Sequence, residues 1–280
     1  MGAISLIAVD LDGTLLLSGT KRLAAEGARL LRFAAGQGIR VVLATARTPE
    51  STRAFCAEMD LRDPIICSGG AQVWGSPDGP PWASRVIPRE AARVIAEYAD
   101  ACSWELSTTI GEMTFWRQRS GQESGQVAPN RMVVRTNAEA LLDPGAAAVV
   151  AGPVRILAFQ PDAIAGLAGL CAASLSDSCR TDIFYSAAGQ PDSLGIFPAG
   201  ADKGSALRLV QERLGISAAE TLAIGDNIVD LPMFEVAAFS VAMGNAPPEV
   251  KRRAMAVAPG NDDEGVAWAV KKYVLDTGQL

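Results

Sequence analysis

Histidine is absent from all 280 residues, which removes Ser-His triads, histidine metal sites and histidine acid/base catalysis together. Any chemistry falls to carboxylates, lysine, hydroxyls and thiols. Oxygen-only ligation favours a hard cation, and magnesium is the usual choice beside phosphate. The five cysteines, Cys56, Cys67, Cys102, Cys171 and Cys179, are odd in number and form no C-x-x-C pair. Neither a zinc knuckle nor a disulfide framework is expected, and a reducing cytoplasm is the expected location. Basic excess is missing as well: the formal net charge is -6 and the sequence pI about 4.9. Nucleic acid and anionic membrane surfaces require basic stripes, so neither is an expected partner, and a phosphate ligand has to be held by local groups. The first apolar run has no basic lead and reaches an acid at position 10, too early for a signal peptide. No later run stays apolar long enough to span a bilayer.

What is present suffices for a full core: 49% of the residues are hydrophobic and 20% charged. The run Ile4-Ser-Leu-Ile-Ala-Val9 reads as a buried strand and ends in Asp10-Leu-Asp12-Gly-Thr14. Side chains alternate along a strand, so Asp10 and Asp12 point the same way, and Gly13 permits a sharp exit that aims backbone N–H groups at the same spot. Two adjacent acids at a strand end repel unless a cation or a shared proton relieves them, which suits a metal and a phosphate together.

Helical spacing follows over 22–37, a strand over 39–44, a helix opened by Pro49 to about Met59, and a buried strand over 64–68 ending at Gly69-Gly70. Strand and helix in alternation predict an α/β fold with a parallel sheet. The texture changes after the turn-rich stretch 75–81. A helix over 90–100, a hairpin of 103–109 and 112–118 around Gly111, a strand over 154–159 followed by a helix, and strands over 180–186 and 193–197 suggest an inserted α+β domain. The alanine-rich piece 146–151 blurs its local boundaries. From Lys203 the first pattern resumes, with a helix over 205–214, strands over 221–224 and 239–242, and a late helix over 266–275. The predicted division is a core of residues 1–81 and 193–280 interrupted by an insert of residues 82–192, with hinges near Pro80-Pro81 and Pro191.

Four polar features recur at predicted strand ends: Asp10 with Asp12, Thr45, Lys203, and Gly225-Asp226-Asn227 followed by Asp230. In an open parallel sheet such ends meet in one crevice. Singly, Thr45 is equally a helix cap, Lys203 a solvated helix residue and Asp226 a turn carboxylate. The Asp10/Asp12 pair is different, because a Gly-Thr turn needs no flanking acids.

In this order the features resemble the haloacid dehalogenase (HAD) superfamily, and a long insert between the second and third resembles its Cof-type phosphatases with a class IIB cap. Asp10-Leu-Asp12-Gly-Thr14-Leu15 is similar to the first motif of that family, Ala44-Thr45-Ala46-Arg47 to the second, Lys203-Gly204 to the third and Gly225-Asp226-Asn227-Ile228-Val229-Asp230 to the fourth. The stretches 241–246 and 261–266 also resemble it. The resemblance implies a Rossmann-like core whose cap excludes water from the crevice, and a magnesium-dependent phosphomonoester hydrolase of small metabolites. Asp10 is the implied nucleophile, forming an aspartyl-phosphate, and Asp12 the implied acid/base, a role commonly worth about 10²–10⁴ in rate. For that role the Asp12 pKa has to rise through nearby charge or desolvation. Asp10, Asp226 and the Asp12 carbonyl are the implied magnesium ligands, with Asp230 supporting that shell or orienting Lys203. Lys203, Thr45 and the loop N–H groups near Asp12 and Ala46 are implied to hold the phosphoryl oxygens.

Three positions depart from the pattern: the family usually has Gly at Ala46, Asn at Gly69 and Asn at Val229. The amide lost at Val229 is expected from Asn227 or Asn245, both placed at the substrate. On the insert, Trp104, Trp116, Arg117 and Arg119 are placed either against the leaving group or in ordinary packing, and Arg47 either on phosphate or in a surface salt bridge. A phosphotransferase or phosphomutase using the same aspartyl-phosphate stays open, as does a catalytically weakened phosphate-binding regulatory protein. A receiver domain is disfavoured by the long insert, and a dinucleotide site by the lack of a complete glycine fingerprint. The oligomeric state is left open.

Overall fold

The computed structural model describes residues 3–117, 130–141, 152–185 and 189–276. Arg119, the 146–151 stretch, and the ends of the expected strands at Gln118 and Ser186 lie outside the described residues.

The chain opens with β1 (Leu6–Val9), buried along its length, and leaves it through a turn in which Gly13 takes φ +78°. A side chain at Gly13 would collide with the Asp226 carboxylate, so glycine is required there by both conformation and space. Next come α1 (Ala25–Gly36), β2 (Arg40–Ala44) and α2 (Pro49–Met59). Pro49 opens α2 behind the Thr48 cap, whose side chain accepts a hydrogen bond from Ser51 N. Helix α1 starts at Ala25 and not at Arg22, because Leu16 to Leu23 form a small hairpin in which Leu17 N donates to Arg22 O at 2.9 Å. Then follow β3 (Ile65–Cys67), β4 (Gln72–Trp74) and β5 (Pro81–Ser84).

The insert consists of α3 (Arg89–Ala101), β6 (Leu106–Ile110), β7 (Met113–Arg117), β8 (Arg131–Val134), β9 (Arg155–Ala158), α4 (Pro161–Ser174), β10 (Cys179–Tyr185) and β11 (Pro191–Pro198). The chain then returns through α5 (Lys203–Leu214), β12 (Thr221–Gly225), α6 (Leu231–Val236), β13 (Phe239–Ala242), α7 (Pro248–Arg253), β14 (Ala256–Val257) and α8 (Gly265–Val270). Strands β4, β5, β8 and β14 and helices α6 and α7 were not expected from the sequence. Each has six residues or fewer, too short for a period to develop.

Two compact units result, residues 1–83 with 202–280, and residues 84–201. Strand β11 pairs with both β10 and β9. The boundary expected between Asp192 and Ser193 therefore falls inside a strand. Pro191 misled because proline is tolerated at the first residue of a strand and does not by itself mark a hinge.

In the first unit the sheet order is β14-β13-β12-β1-β2-β3-β4-β5. From β14 to β3 the pairing is parallel, and β4 returns antiparallel on β3. Strand alternation splits the sheet into two apolar faces. Ile7, Val9, Val41 and Leu43 pack with Leu30 and Leu31 of α1 and Val266 and Val270 of α8. Leu6, Ala8, Val42 and Ala44 pack with Leu207 and Val210 of α5 and Met233 and Phe234 of α6. The strand order reverses at β1, and a crevice opens at the C-terminal ends of such strands.

The second unit carries a six-stranded sheet, β10-β11-β9-β6-β7-β8, antiparallel except for β7 with β8. Ile95 of α3 and Ile164 and Leu167 of α4 cover Leu106, Phe115, Ile156 and Ile196 on one face. Among the described residues no helix is long and apolar enough to cross a membrane.

All five cysteines are free, and only Cys102 is exposed. Burial, with the Asp78 and Asp63 charges behind it, pushes the Cys56 thiol up to about 12. A thiol reagent is expected to titrate one cysteine quickly in the native chain and all five after unfolding. A second fast equivalent would contradict the burial of the other four.

Candidate active site

Strand β1 leads directly into Asp10, whose N–H donates to Ile224 O of β12 at 3.0 Å. The edge of the sheet is thereby fixed. Asp10 is 5% exposed. Opposite it stands Lys203, the first residue of α5, 2% exposed, with Nζ 2.6 Å from Asp10 Oδ1 and a second contact to Asp230 Oδ1. The N-terminus of α5 is set by an Asp202 cap that accepts from Ser205 N at 2.7 Å. Two glycines let that terminus sit close: a side chain at Gly70 would collide with Asp202 O, and one at Gly204 with Pro232 O.

Asp230, fully buried, holds the site from below. While Oδ1 takes the Lys203 ammonium, Oδ2 accepts the backbone N–H groups of Asp226 and Asn227 at 3.0 and 2.9 Å. One carboxylate thus engages Lys203 and ties down the backbone of the turn that carries Asp226. Asp226 comes off β12 and is gripped by Thr14 Oγ1 at 3.1 Å. Asn245, just after β13, donates to Gly13 O at 2.8 Å and to Asp226 Oδ2 at 3.4 Å, and its Oδ1 accepts from Asn261 N. Asn245 therefore supplies an amide to the acidic turn. Asn227 enters the site through its backbone amide.

One oxygen from each of Asp10, Asp226 and Asp230 lies within 4.8 Å of the others. The pKa values of Asp10, Asp226 and Lys203 all shift upward. Burial above all pushes the Asp10 carboxyl up to about 7; Lys203 pulls it back, and Asp230 and Asp12 add to the rise. Burial, with Asp10 and Asp230, also holds Asp226 well above the usual carboxylate range, against Thr14 and Lys203. For Lys203, burial acts to lower the pKa, and the charges of Asp10 and Asp230 outweigh it and raise it. A buried cluster that disfavours its own ionisation is what a divalent cation would relieve, so the donor set fits a hard metal.

Asp12 lies differently. Its side chain is 56% exposed, and Arg47 holds both oxygens, Nε to Oδ2 at 2.8 Å and Nη2 to Oδ1 at 2.6 Å. Arg47 in turn lies over the Phe55 ring, with the guanidinium carbon 5.3 Å from its centroid. Of the two expectations for Arg47, the salt bridge is the one observed, and its partner is Asp12. Thr45, fully buried at the end of β2, accepts from Arg47 N at 3.1 Å, leaving its own hydroxyl proton to donate. Ala46 is half-buried between them. Gly69 takes φ +65° with its N–H on Thr45 O at 3.0 Å. Glycine and asparagine are the residues that best tolerate this region, so the departure at Gly69 preserves the backbone requirement. Sequence reasoning missed the roles of Thr14 and Asn261. The only signal for Thr14 was its place in the acidic turn.

On the second unit, Arg117 Nη1 donates to Trp104 O at 2.9 Å and pairs with Asp100 at 3.2 Å, while Trp116 stacks on Phe159 at 5.4 Å. Trp104 meets Tyr98 edge-on at 5.5 Å.

The model of a family described as haloacid dehalogenase-like hydrolase matches residues 7–270. Phosphoglycolate phosphatase of Pyrobaculum neutrophilum is 30% identical over 265 residues, covering 94% of this chain and 93% of that protein. The 5-amino-6-(5-phospho-D-ribitylamino)uracil phosphatase YcsE of Bacillus subtilis is 25% identical over 272 residues, 97% of this chain and 96% of the relative. The crystal structure of a haloacid dehalogenase-like hydrolase from Bacteroides thetaiotaomicron matches with a TM-score of 0.80 at 25% identity, covering 96% of this chain and 99% of that one. With the aspartates, lysine and strand order described above, these likenesses make the chain a member of the haloacid dehalogenase-like hydrolases, a Cof-type phosphatase that hydrolyses phosphate esters.

Proposed function

We propose that the chain is a magnesium-dependent phosphomonoesterase that works through an aspartyl-phosphate on Asp10. The observation that carries this reading is the buried Asp10 carboxylate with Lys203 Nζ at 2.6 Å and Asp226 beside it at the sheet edge. Asp10 and Asp226 side chains, with the Asp12 carbonyl, would hold the metal. Bound there, magnesium neutralises the carboxylates and polarises a phosphoryl oxygen.

In the first step an Asp10 oxygen bonds to phosphorus as the bond to the ester oxygen breaks, and the departing oxygen takes a proton from Asp12. In the second, water bonds to phosphorus, Asp12 takes the water's proton, and the aspartyl bond breaks to release phosphate and restore Asp10. Lys203 and the Thr45 hydroxyl offer fixed donors to the phosphoryl oxygens, a preorganised arrangement that needs no rearrangement at the moment of transfer. Arg47 fixes the direction of Asp12 through a two-point grip. Protonation of one Asp12 oxygen weakens the Arg47 bond that this oxygen accepts when Asp12 serves as acid.

A small soluble phosphate ester is the proposed substrate class, in keeping with the phosphorylated metabolites for which the two relatives are named. The test is phosphate release from an aryl phosphate and from a panel of sugar, nucleotide and cofactor phosphates. Turnover is expected with magnesium and is expected to disappear on chelation and return on adding the metal back. Release unaffected by a chelator would reject the metal, and tight binding without any release would reject the enzyme reading.

A further inference from the structure

Beside the hairpin that follows the acidic turn lies a concavity that no step above uses. Its volume is about 370 Å³, and it lies between the start of α1 and the end of α2. Lys21, Arg22, Arg29 and Arg32 line it, against one acid, Glu58, with Met59 and alanines of α1 as the apolar part. Arg29 is occupied by Glu26, at 2.7 and 2.8 Å. Among the described residues, the side chains of Lys21, Arg22 and Arg32 have no hydrogen-bond or ion-pair partner. Three unpaired cations in one hollow, on a chain of net charge -6, repel one another and concentrate positive potential where the wall is concave.

We propose that this hollow is a second ligand site, separate from the Asp10 cluster, that takes a small anion with a diphosphate group, free or carried on an organic body. The charge is of the right sign: three free cations against Glu58 leave a positive excess that a polyanionic diphosphate neutralises and a single carboxylate does not. The size fits too, at the lower end of small-ligand pockets of roughly 300–1,000 Å³. The site is wired to the acidic turn by backbone alone. Lys21 and Arg22 belong to the hairpin whose other strand continues from Leu15, closed by Ala24 N to Leu15 O and Leu17 N to Arg22 O, each 2.9 Å.

The test is calorimetric titration of inorganic pyrophosphate, and separately of ADP, into the 280-residue chain with magnesium present and ionic strength fixed by sodium chloride. Three chains are compared: wild type, Asp10→Asn, and Arg22→Glu with Arg32→Glu. Both probes carry the diphosphate, and tighter binding of ADP than of pyrophosphate points to the organic form, while the reverse points to the free ion. Either supports the site if Asp10→Asn retains binding and the charge-reversed chain loses it by about tenfold or more. Aryl phosphate turnover and thermal midpoint are expected unchanged in the charge-reversed chain. Should its midpoint fall, Arg22→Gln with Arg32→Gln is read instead and is expected to weaken binding severalfold. The proposal is overturned if neither probe binds wild type at millimolar concentration, if charge reversal leaves binding intact, or if Asp10→Asn alone abolishes it.

Discussion

Asp10→Asn is expected to lower the turnover number by at least about 10⁴-fold, the scale seen when a nucleophile acting as part of a unit is removed, while the fold persists. The substitution keeps the shape of the side chain and its acceptor oxygen toward Lys203, and removes only the nucleophilic charge. Stability supports the separation of the two effects. The rise of the Asp10 carboxyl to about 7, driven first by burial, means that folding disfavours its ionised form. A neutral amide at that point therefore relieves repulsion with Asp226 and Asp230, and Lys203 keeps its pair with Asp230. A thermal midpoint equal to or above that of the wild type is the expected companion of lost turnover. Turnover within about tenfold of the wild type would refute Asp10 as nucleophile; a collapse of the midpoint with the activity would leave the loss explained by unfolding, contrary to the reading of a destabilised buried charge.

The same arrangement shows which parts of the molecule the sequence exposes. An apolar run closed by Asp10-x-Asp12-Gly13 states its geometry locally, since alternation and one glycine are enough to aim two carboxyls. Lys203 was legible only through the order of the motifs, because nothing local distinguishes a lysine that opens a helix and is 2% exposed from one in solvent. Asp230 was visible as a neighbour of Asp226, yet its division of labour, one oxygen to a cation and the other to two amides, depends on the turn closing correctly. Asn245 and Gly13 are 232 positions apart in the chain, and no period or turn signal links them. The Arg47 pair with Asp12 is hidden for a different reason: a long flexible side chain three residues past a strand end has several reachable partners, and packing on Phe55 selects among them. The parallel order of the main strands followed from strand-helix alternation, whereas β4, β5 and β14 hang on the edges by tertiary pairing that short segments do not announce.

Lys203→Met is expected to cost both activity and stability, which sets it apart from Asp10→Asn. Methionine preserves most of the length and the apolar stem but removes the ammonium that faces Asp10 and Asp230, leaving three carboxylates within 4.8 Å of one another and one of them with no exposure at all. Breaking a buried pair from one side typically costs about 3–5 kcal/mol, because the stranded charge keeps its desolvation penalty. For a chain of this size that is a fall in thermal midpoint of roughly 10 °C. The two substitutions are in contact and should not add. In Lys203→Met with Asp10→Asn, one stranded carboxylate is gone, so the midpoint is expected to recover part of the loss, a coupling read directly from the double-mutant cycle. Magnesium should likewise restore part of the midpoint of Lys203→Met if the same carboxylates hold the ion. A midpoint within about 2 °C of the wild type in the single variant, or strict additivity in the double, would show that the lysine and the aspartates do not share one electrostatic unit, and the assignment of Lys203 as the fixed cation of the site would fall with it.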